Sequence, residues 1–214
     1  NGTHTISWPN NVSIATQLHF YTGNITYDGT LSDGTLYKAH NINDTIFVAE
    51  AHVQKIFHHS NTTLSPYIGL GYRYWLDKLG TDPYGYNRKT TYLYIPIGIT
   101  FHYPVTETLS LNILSQYNVF IEGKNTSYFS KFAGTDDNMN VTQSTGYGYL
   151  LGCNANLKLS QQNILSASLQ YHYWNIANSS LDYIQTTEGP LGFLEPENNT
   201  KELRFGIQYN HLLN

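Results

Sequence analysis

The stretch Leu165-Ser-Ala-Ser-Leu-Gln-Tyr-His-Tyr173 sorts into two sets by simple alternation. Leu165, Ala167, Leu169, Tyr171 and Tyr173 are apolar or aromatic, while Ser166, Ser168, Gln170 and His172 are small or polar. Successive side chains of a strand point to opposite faces, so this pattern predicts a strand with one dry and one wet face. Helical spacing groups the same residues less well. The period recurs along the chain: Ile95, Ile97, Ile99, Phe101 and Tyr103 alternate with Tyr94, Pro96, Gly98, Thr100 and His102, and Leu203, Phe205, Ile207 and Tyr209 alternate with Glu202, Arg204, Gly206 and Gln208.

Eight such segments predict strands near residues 13–27, 44–58, 62–76, 89–103, 107–122, 145–159, 163–177 and 200–212. Each is far longer than the usual globular strand of about 5–6 residues. The connections alternate between short turns at His59–Asn61, Pro104–Thr106 and Ser160–Gln162 and long loops at 28–43, 77–88, 123–144 and 178–199. In consecutive antiparallel strands this places every turn at one end and every loop at the other, the asymmetry of transmembrane barrels. The expected fold class is therefore all-β, a single domain over residues 1–214 forming an eight-stranded antiparallel up-and-down transmembrane barrel. The even strand number is expected to leave both termini on the periplasmic side. Pro96 is expected to force a bulge, because it removes one ladder donor.

Composition agrees. Only 12% of the 214 residues are charged, against roughly 25% in an ordinary soluble domain. Tyr (19) and Gly (17) fill part of the difference. A net charge of -4 gives no basic face for nucleic acid. The single cysteine, Cys153, excludes an internal disulfide and a cysteine-based zinc site. No stretch approaches the ~18 apolar residues of a transmembrane helix, and no basic-then-apolar signal-peptide pattern opens the sequence.

The set facing away from the apolar one holds Gly, Ser, Asn and Gln rather than dense Lys and Glu, so it predicts a lumen and not a solvated exterior. Tyr72, Tyr74, Tyr147, Tyr149, Tyr171 and Tyr173 fall towards the long-loop ends of the apolar face, and Phe57, Phe101, Tyr103 and Tyr209 towards the short-turn ends. Two aromatic bands separated by aliphatic residues match the girdles of a membrane barrel. Lys55 alone intrudes on the apolar set, near a short turn where its stem can snorkel to the headgroups.

The final strand, Arg204-Phe-Gly-Ile-Gln-Tyr-Asn-His211, is similar to the polar-x-Gly-x-x-aromatic signal that closes bacterial outer-membrane barrels, with His211 where an aromatic carbocycle is usual. Together with Tyr67-Ile-Gly-Leu-Gly-Tyr-Arg-Tyr-Trp75 and Tyr94-Ile-Pro-Ile-Gly98, the chain resembles the small OmpA/OmpX-type eight-stranded barrels. That resemblance implies an architecture and an outer-membrane location with lipid and lipopolysaccharide as neighbours. It implies no activity.

Within the inward set, Glu50, Arg73, Glu122, Lys158, Glu202 and Arg204 are expected to form an ion network that fills the lumen, a gated conduit being the alternative. His19, His52, His102 and His172 also point inward, and lumen hydrogen bonding accounts for them without a metal. No cofactor is expected. A lipid A deacylase would need a His–Ser pair facing the outer leaflet, and the outward His211 lies at the opposite end. The expectation is therefore a non-enzymatic barrel with a structural or surface-binding role, acting through its loops on another envelope or surface protein. A loop contact surface is expected around Phe129, Phe132, Tyr183 and Phe193. The alternatives are a lipid-modifying outer-membrane enzyme and a soluble lipocalin-like barrel that binds an apolar ligand.

Overall fold

Alternation over such long segments favours strands, and the computed structural model is built of them; it describes residues 2–30, 34–81, 85–128, 138–186 and 189–211. In chain order the strands are β1 (Gly2–Trp8), β2 (Val12–Thr30), β3 (Leu36–Lys55), β4 (Phe57–His59), β5 (Thr62–Lys78), β6 (Asn87–Pro104), β7 (Leu109–Ser127), β8 (Met139–Gln143), β9 (Gly146–Lys158), β10 (Asn163–Ile176), β11 (Asp182–Thr186), β12 (Gly189–Phe193) and β13 (Asn198–His211). One antiparallel path runs β1-β2-β3-β5-β6-β7-β9-β10-β13, with β4 beside β5, β8 beside β7, and β11-β12 as a separate hairpin. Each of the eight alternating segments is centred on a strand of this path.

The strand number exceeds eight, and the reason is local. Asn10 and Asn11 adopt positive φ of 71° and 58°, a conformation that Asn tolerates better than most residues. The chain therefore reverses tightly after Trp8, and β1 pairs with β2 from Trp8↔Val12 to Gly2↔Leu18. Only Ile6 and Trp8 mark an apolar face there, too few to read as a strand. This extra strand places Gly2 beside Leu18, partway up the sheet, and not at the short-turn end.

The expected bulge also sits elsewhere. Pro96 keeps register opposite Asn118, whereas the β6–β7 ladder shifts between Leu93/Glu122 and Tyr94/Phe120, so Ile121 is the extra residue. A one-residue slip exchanges the two faces of a strand. Beyond it Gly123, Asn125 and Ser127 point inward, and Glu122 points out.

The outer face carries exposed Leu18, Val53, Leu70, Ile97, Ile113, Leu151, Leu169 and Ile207. Such a continuous apolar surface has hydrocarbon as its solvent. At its long-loop edge Tyr147 lies 6.1 Å from Tyr117 and 6.0 Å from Tyr173, with Tyr149 4.9 Å from Tyr173. Cys153 is free and exposed on this belt. Polar side chains fill the inside, the reverse of a soluble lipocalin-like barrel. No described backbone ladder joins β13 to β1, yet the sheet curls until its ends approach: the Arg204 guanidinium of β13 lies 4.2 Å from the Tyr21 ring of β2.

Gly71 is required by this packing. A Cβ there would meet Tyr94 Cε2 at 2.3 Å, and Tyr94 is an anchor of the interior. Gly71→Ala is expected to destabilise the protein by about 1–3 kcal/mol, the usual cost of overpacking. Gly23→Ala, with nothing within 4 Å of its new methyl, is the control. Thermal unfolding in detergent, followed by gel mobility, measures both.

Candidate functional site

Inside the curled sheet, polar residues from several strands converge at two levels. The lower level centres on Glu50 of β3. Its Oε1 accepts from Tyr94 OH at 2.7 Å and Gln116 Nε2 at 3.1 Å, and its Oε2 pairs with His52 Nε2 at 3.0 Å. Gln116 is held in turn by Tyr67 OH at 2.5 Å and donates to Asn118 at 2.8 Å. Across the lumen, Arg73 Nη2 donates to Glu202 Oε1 at 2.8 Å, and Arg204 Nε donates to Glu202 Oε2 at 3.0 Å. Glu50 and Arg73 thus take separate partners. Glu122 leaves the network, since the Ile121 bulge turns it outward to an exposed pair with Lys124 at 3.0 Å. Lys158 is exposed at the short-turn end, in no described ion pair.

Above Glu50, Tyr92, Tyr94, Phe120, Trp174 and Ile176 pack as one buried cluster inside the sheet. Trp174 packs edge-on to Tyr94 at 5.0 Å and lies 5.5 Å from Tyr92. A polar cavity of about 100 Å³ remains among His19, Glu50, His172 and Arg204. It holds a few waters at most. The histidines bond to neutral or acidic neighbours, His102 to Asn112 at 2.8 Å and His172 to Gln170 at 3.2 Å. Among the described residues no group of three possible ligands could hold a metal ion.

The upper level lies at the mouth on the long-loop side. A tilted strand crosses the hydrocarbon in about 9–11 residues, so the first residues of β3 and β6 and the last of β5 stand clear of it. Their inward positions fall into one row, because Asp44 is the register partner of Asp77, Asp77 of Arg88, and Arg88 of Ser127. Asp44 and Asp77 are 7% and 6% exposed. Trp75 Nε1 donates to Asp44 Oδ2 at 2.8 Å, and Arg88 Nη2 lies 3.6 Å from Asp77 Oδ2. The Oδ1 atom of each aspartate is buried with no donor at bonding distance, and the Leu79 backbone N–H also acts on the Asp77 carboxyl.

The last long loop supplies a third acid. Ser179 N donates to the Glu195 carbonyl at 2.9 Å and Ser179 Oγ accepts from Glu195 N at 2.8 Å, closing the base of the loop. Glu195 is thereby aimed inward, where its Oε1 accepts from Arg88 Nη1 at 3.1 Å. Asp77 and Glu195 thus share the Arg88 guanidinium, while Asp44 is held by Trp75. Burial pushes Asp44 up to about 6, against the opposing Trp75 bond, with the Asp77 charge adding to the rise. Burial likewise raises Asp77 and Glu195; Arg88 opposes both shifts, and the backbone N–H of Leu79 also opposes that of Asp77. For Arg88, burial acts against the charge, but Glu195 and Asp77 together outweigh it. Two facing carboxyls, one protonated and one ionised, can divide the roles of acid and base.

Sequence reading missed this row. Predicted strand limits stopped one residue short of Asp77 and began one residue after Arg88, and Glu195 was assigned only to a loop. The signal was present in the parity, since Asp44 continues the inward series Ile46, Val48, Glu50, and Asp77 continues Arg73, Trp75. Of the expected loop surface, Tyr183 is exposed on β11, while Phe193 packs with Tyr86 against Met139, Val141 and Ile184. Phe129 and Phe132 lie outside the described residues.

No protein-family model and no curated protein matches the chain. Among solved structures, the outer membrane protease OmpT from Escherichia coli is similar, with a TM-score of 0.66 and 12% identity over 94% of this chain and 79% of that one. The fold is that of an outer-membrane β-barrel. The likeness is to a barrel other than the OmpA/OmpX type, in keeping with the extra strand. It also corrects the expectation of a non-enzymatic barrel, because the fold found here is one that carries a protease.

The mouth gives a pH dependence with a defined sign. A folded-state value near 6 for Asp44 lies above the ordinary 3.8, so its proton stabilises the fold. That contribution is complete below about 4 and lost as pH rises through about 6. Asp77 and Glu195 act in the same direction. Melting in detergent is expected to fall between pH 5 and pH 7.5 for the wild type and less steeply for Asp44→Asn. Parallel slopes would remove Asp44 from this account.

Proposed function

We propose that the chain is an outer-membrane hydrolase whose reaction takes place at the long-loop mouth of the barrel, with a peptide bond as the bond cleaved. The observation that carries this reading is the facing pair Asp44 and Asp77, both buried, both inward and each with one oxygen left unbonded. In the proposed reaction the ionised carboxylate takes a proton from water as the water oxygen adds to the peptide carbonyl carbon. The protonated partner donates to the carbonyl oxygen. On collapse of the tetrahedral intermediate the C–N bond breaks and the amine leaves with the transferred proton. Burial of the pair keeps one proton in place up to about pH 6, because two ionised carboxylates side by side repel in a poorly solvated site.

The likeness to an outer-membrane protease supports the choice of bond, and the exposed belt supports a place in the outer membrane, with lipid and lipopolysaccharide around it. Exposed Tyr183 and Leu191, on the loop that carries Glu195, offer a contact for a protein substrate at the cell surface.

The test is cleavage of a fluorogenic peptide mixture by protein refolded in detergent micelles, between pH 5 and pH 8. Turnover is expected to drop at least about 100-fold in Asp44→Asn and in Asp77→Asn, the scale of a lost acid or base. In the wild type it should decline above pH 6 as the acid loses its proton. Retained melting temperatures in both variants would show that chemistry rather than folding was lost. A wild type that cleaves no peptide, or variants as active as the wild type, would sink the reading.

A further inference from the structure

The outer wall has a defect at its short-turn end. The β3–β5 ladder keeps one register from Asp44↔Asp77 to Gln54↔Tyr67, and β4 resumes it at Phe57↔Leu64. Between them Lys55 and Ile56 face Pro66 and Ser65 without pairing. Pro66 has no N–H to give the ladder, and Ile56 N donates on the other side, to the Asn11 carbonyl at 2.8 Å, in line with the Val12↔Lys55 pairing. The gap opens a groove of about 390 Å³ on the lipid-facing side, walled by Val12, Val53, Pro66 and Ile68 with Lys55 at its mouth.

Two requirements meet in this notch. Its apolar walls face hydrocarbon, so an acyl chain is the material available to fill it. Lys55 needs an anion, since the only described partner of its ammonium is the neutral Asn10 carbonyl and it makes no described ion pair. A lysine at the edge of the belt reaches the level where lipid phosphates lie. Trp8, paired with Val12 across the neighbouring ladder, is half exposed at the same height, as expected of an indole at a membrane interface.

We propose that this notch binds one phospholipid of the leaflet at the short-turn end, with an acyl chain between Val53 and Ile68 and the phosphodiester on Lys55 Nζ. The site rests on the membrane placement given above and is independent of the hydrolase chemistry. Protein solubility as a monomer without detergent would sink both, whereas the variants below bear on the notch alone.

Native mass spectrometry of the detergent-released protein, titrated with dioleoyl phosphatidylglycerol, tests the site. The wild type is expected to hold one lipid more tightly than any further copies. Lys55→Met, and Val53→Trp which fills the groove, should each weaken that first adduct about tenfold. Lys55→Arg should keep it, as should Lys158→Met at the same end of another strand. Inorganic phosphate alone should not bind. Heat-dependent gel mobility checks folding, and Lys55→Met carries the result if Val53→Trp misfolds. Equal first-adduct affinity in wild type and Lys55→Met, equal weakening in Lys158→Met, or phosphate binding without lipid would overturn the proposal.

Discussion

Two-residue alternation under an apolar solvent is the constraint on which everything else here depends. A strand that meets hydrocarbon on one face must send every charge to the other face or to its ends, since a charge at the membrane midplane costs about 2–4 kcal/mol. The protein obeys this closely. Glu50, Arg73, Glu202 and Arg204 meet inside, and Lys55 sits where the belt ends. The low charged fraction of the composition is the same fact seen without structure.

Pushing polar groups inward creates a second problem, because the interior of so narrow a sheet holds little water to solvate them. The lower level solves it for its carboxylates by mutual bonding, leaving His19 Nδ1 without a described partner: Glu50 has donors on both oxygens, and the carboxylate of Glu202 serves two arginines. The aromatic cluster above it is itself buried. The mouth does not solve it. There Asp77 and Glu195 share one described guanidinium, Asp44 has a single donor in Trp75, and the Oδ1 of each aspartate is buried without a bonded donor. An unsatisfied buried acceptor costs about 1–3 kcal/mol, and two of them on facing carboxyls mark the mouth as the place for chemistry.

How legible this was depended on whether a feature was carried by parity or by register. Parity put Glu50, Arg73, Glu202 and Arg204 inside and Cys153 outside. It failed for Glu122, because a single extra residue at Ile121 exchanges the faces and leaves no compositional trace. Proline suggested a bulge at the wrong place: Pro96 sits opposite Gly69, where the ladder is interrupted without any shift. Likewise β1 escaped notice because two asparagines with positive φ make the turn and only two apolar residues mark the strand.

The sequence by itself determined that the protein is a set of long antiparallel strands with one lipid-facing and one polar face, since alternation is written residue by residue. It also determined which end carries the long loops. Only the tertiary structure decided that Asp44, Asp77 and Arg88, separated by up to 44 positions, stand side by side, and that Glu195 reaches Arg88 from the last loop. Cross-strand neighbours are set by hydrogen-bond register between distant segments, and a loop's inward residue by the closure at its base. Neither quantity is local, so no window of sequence contains it.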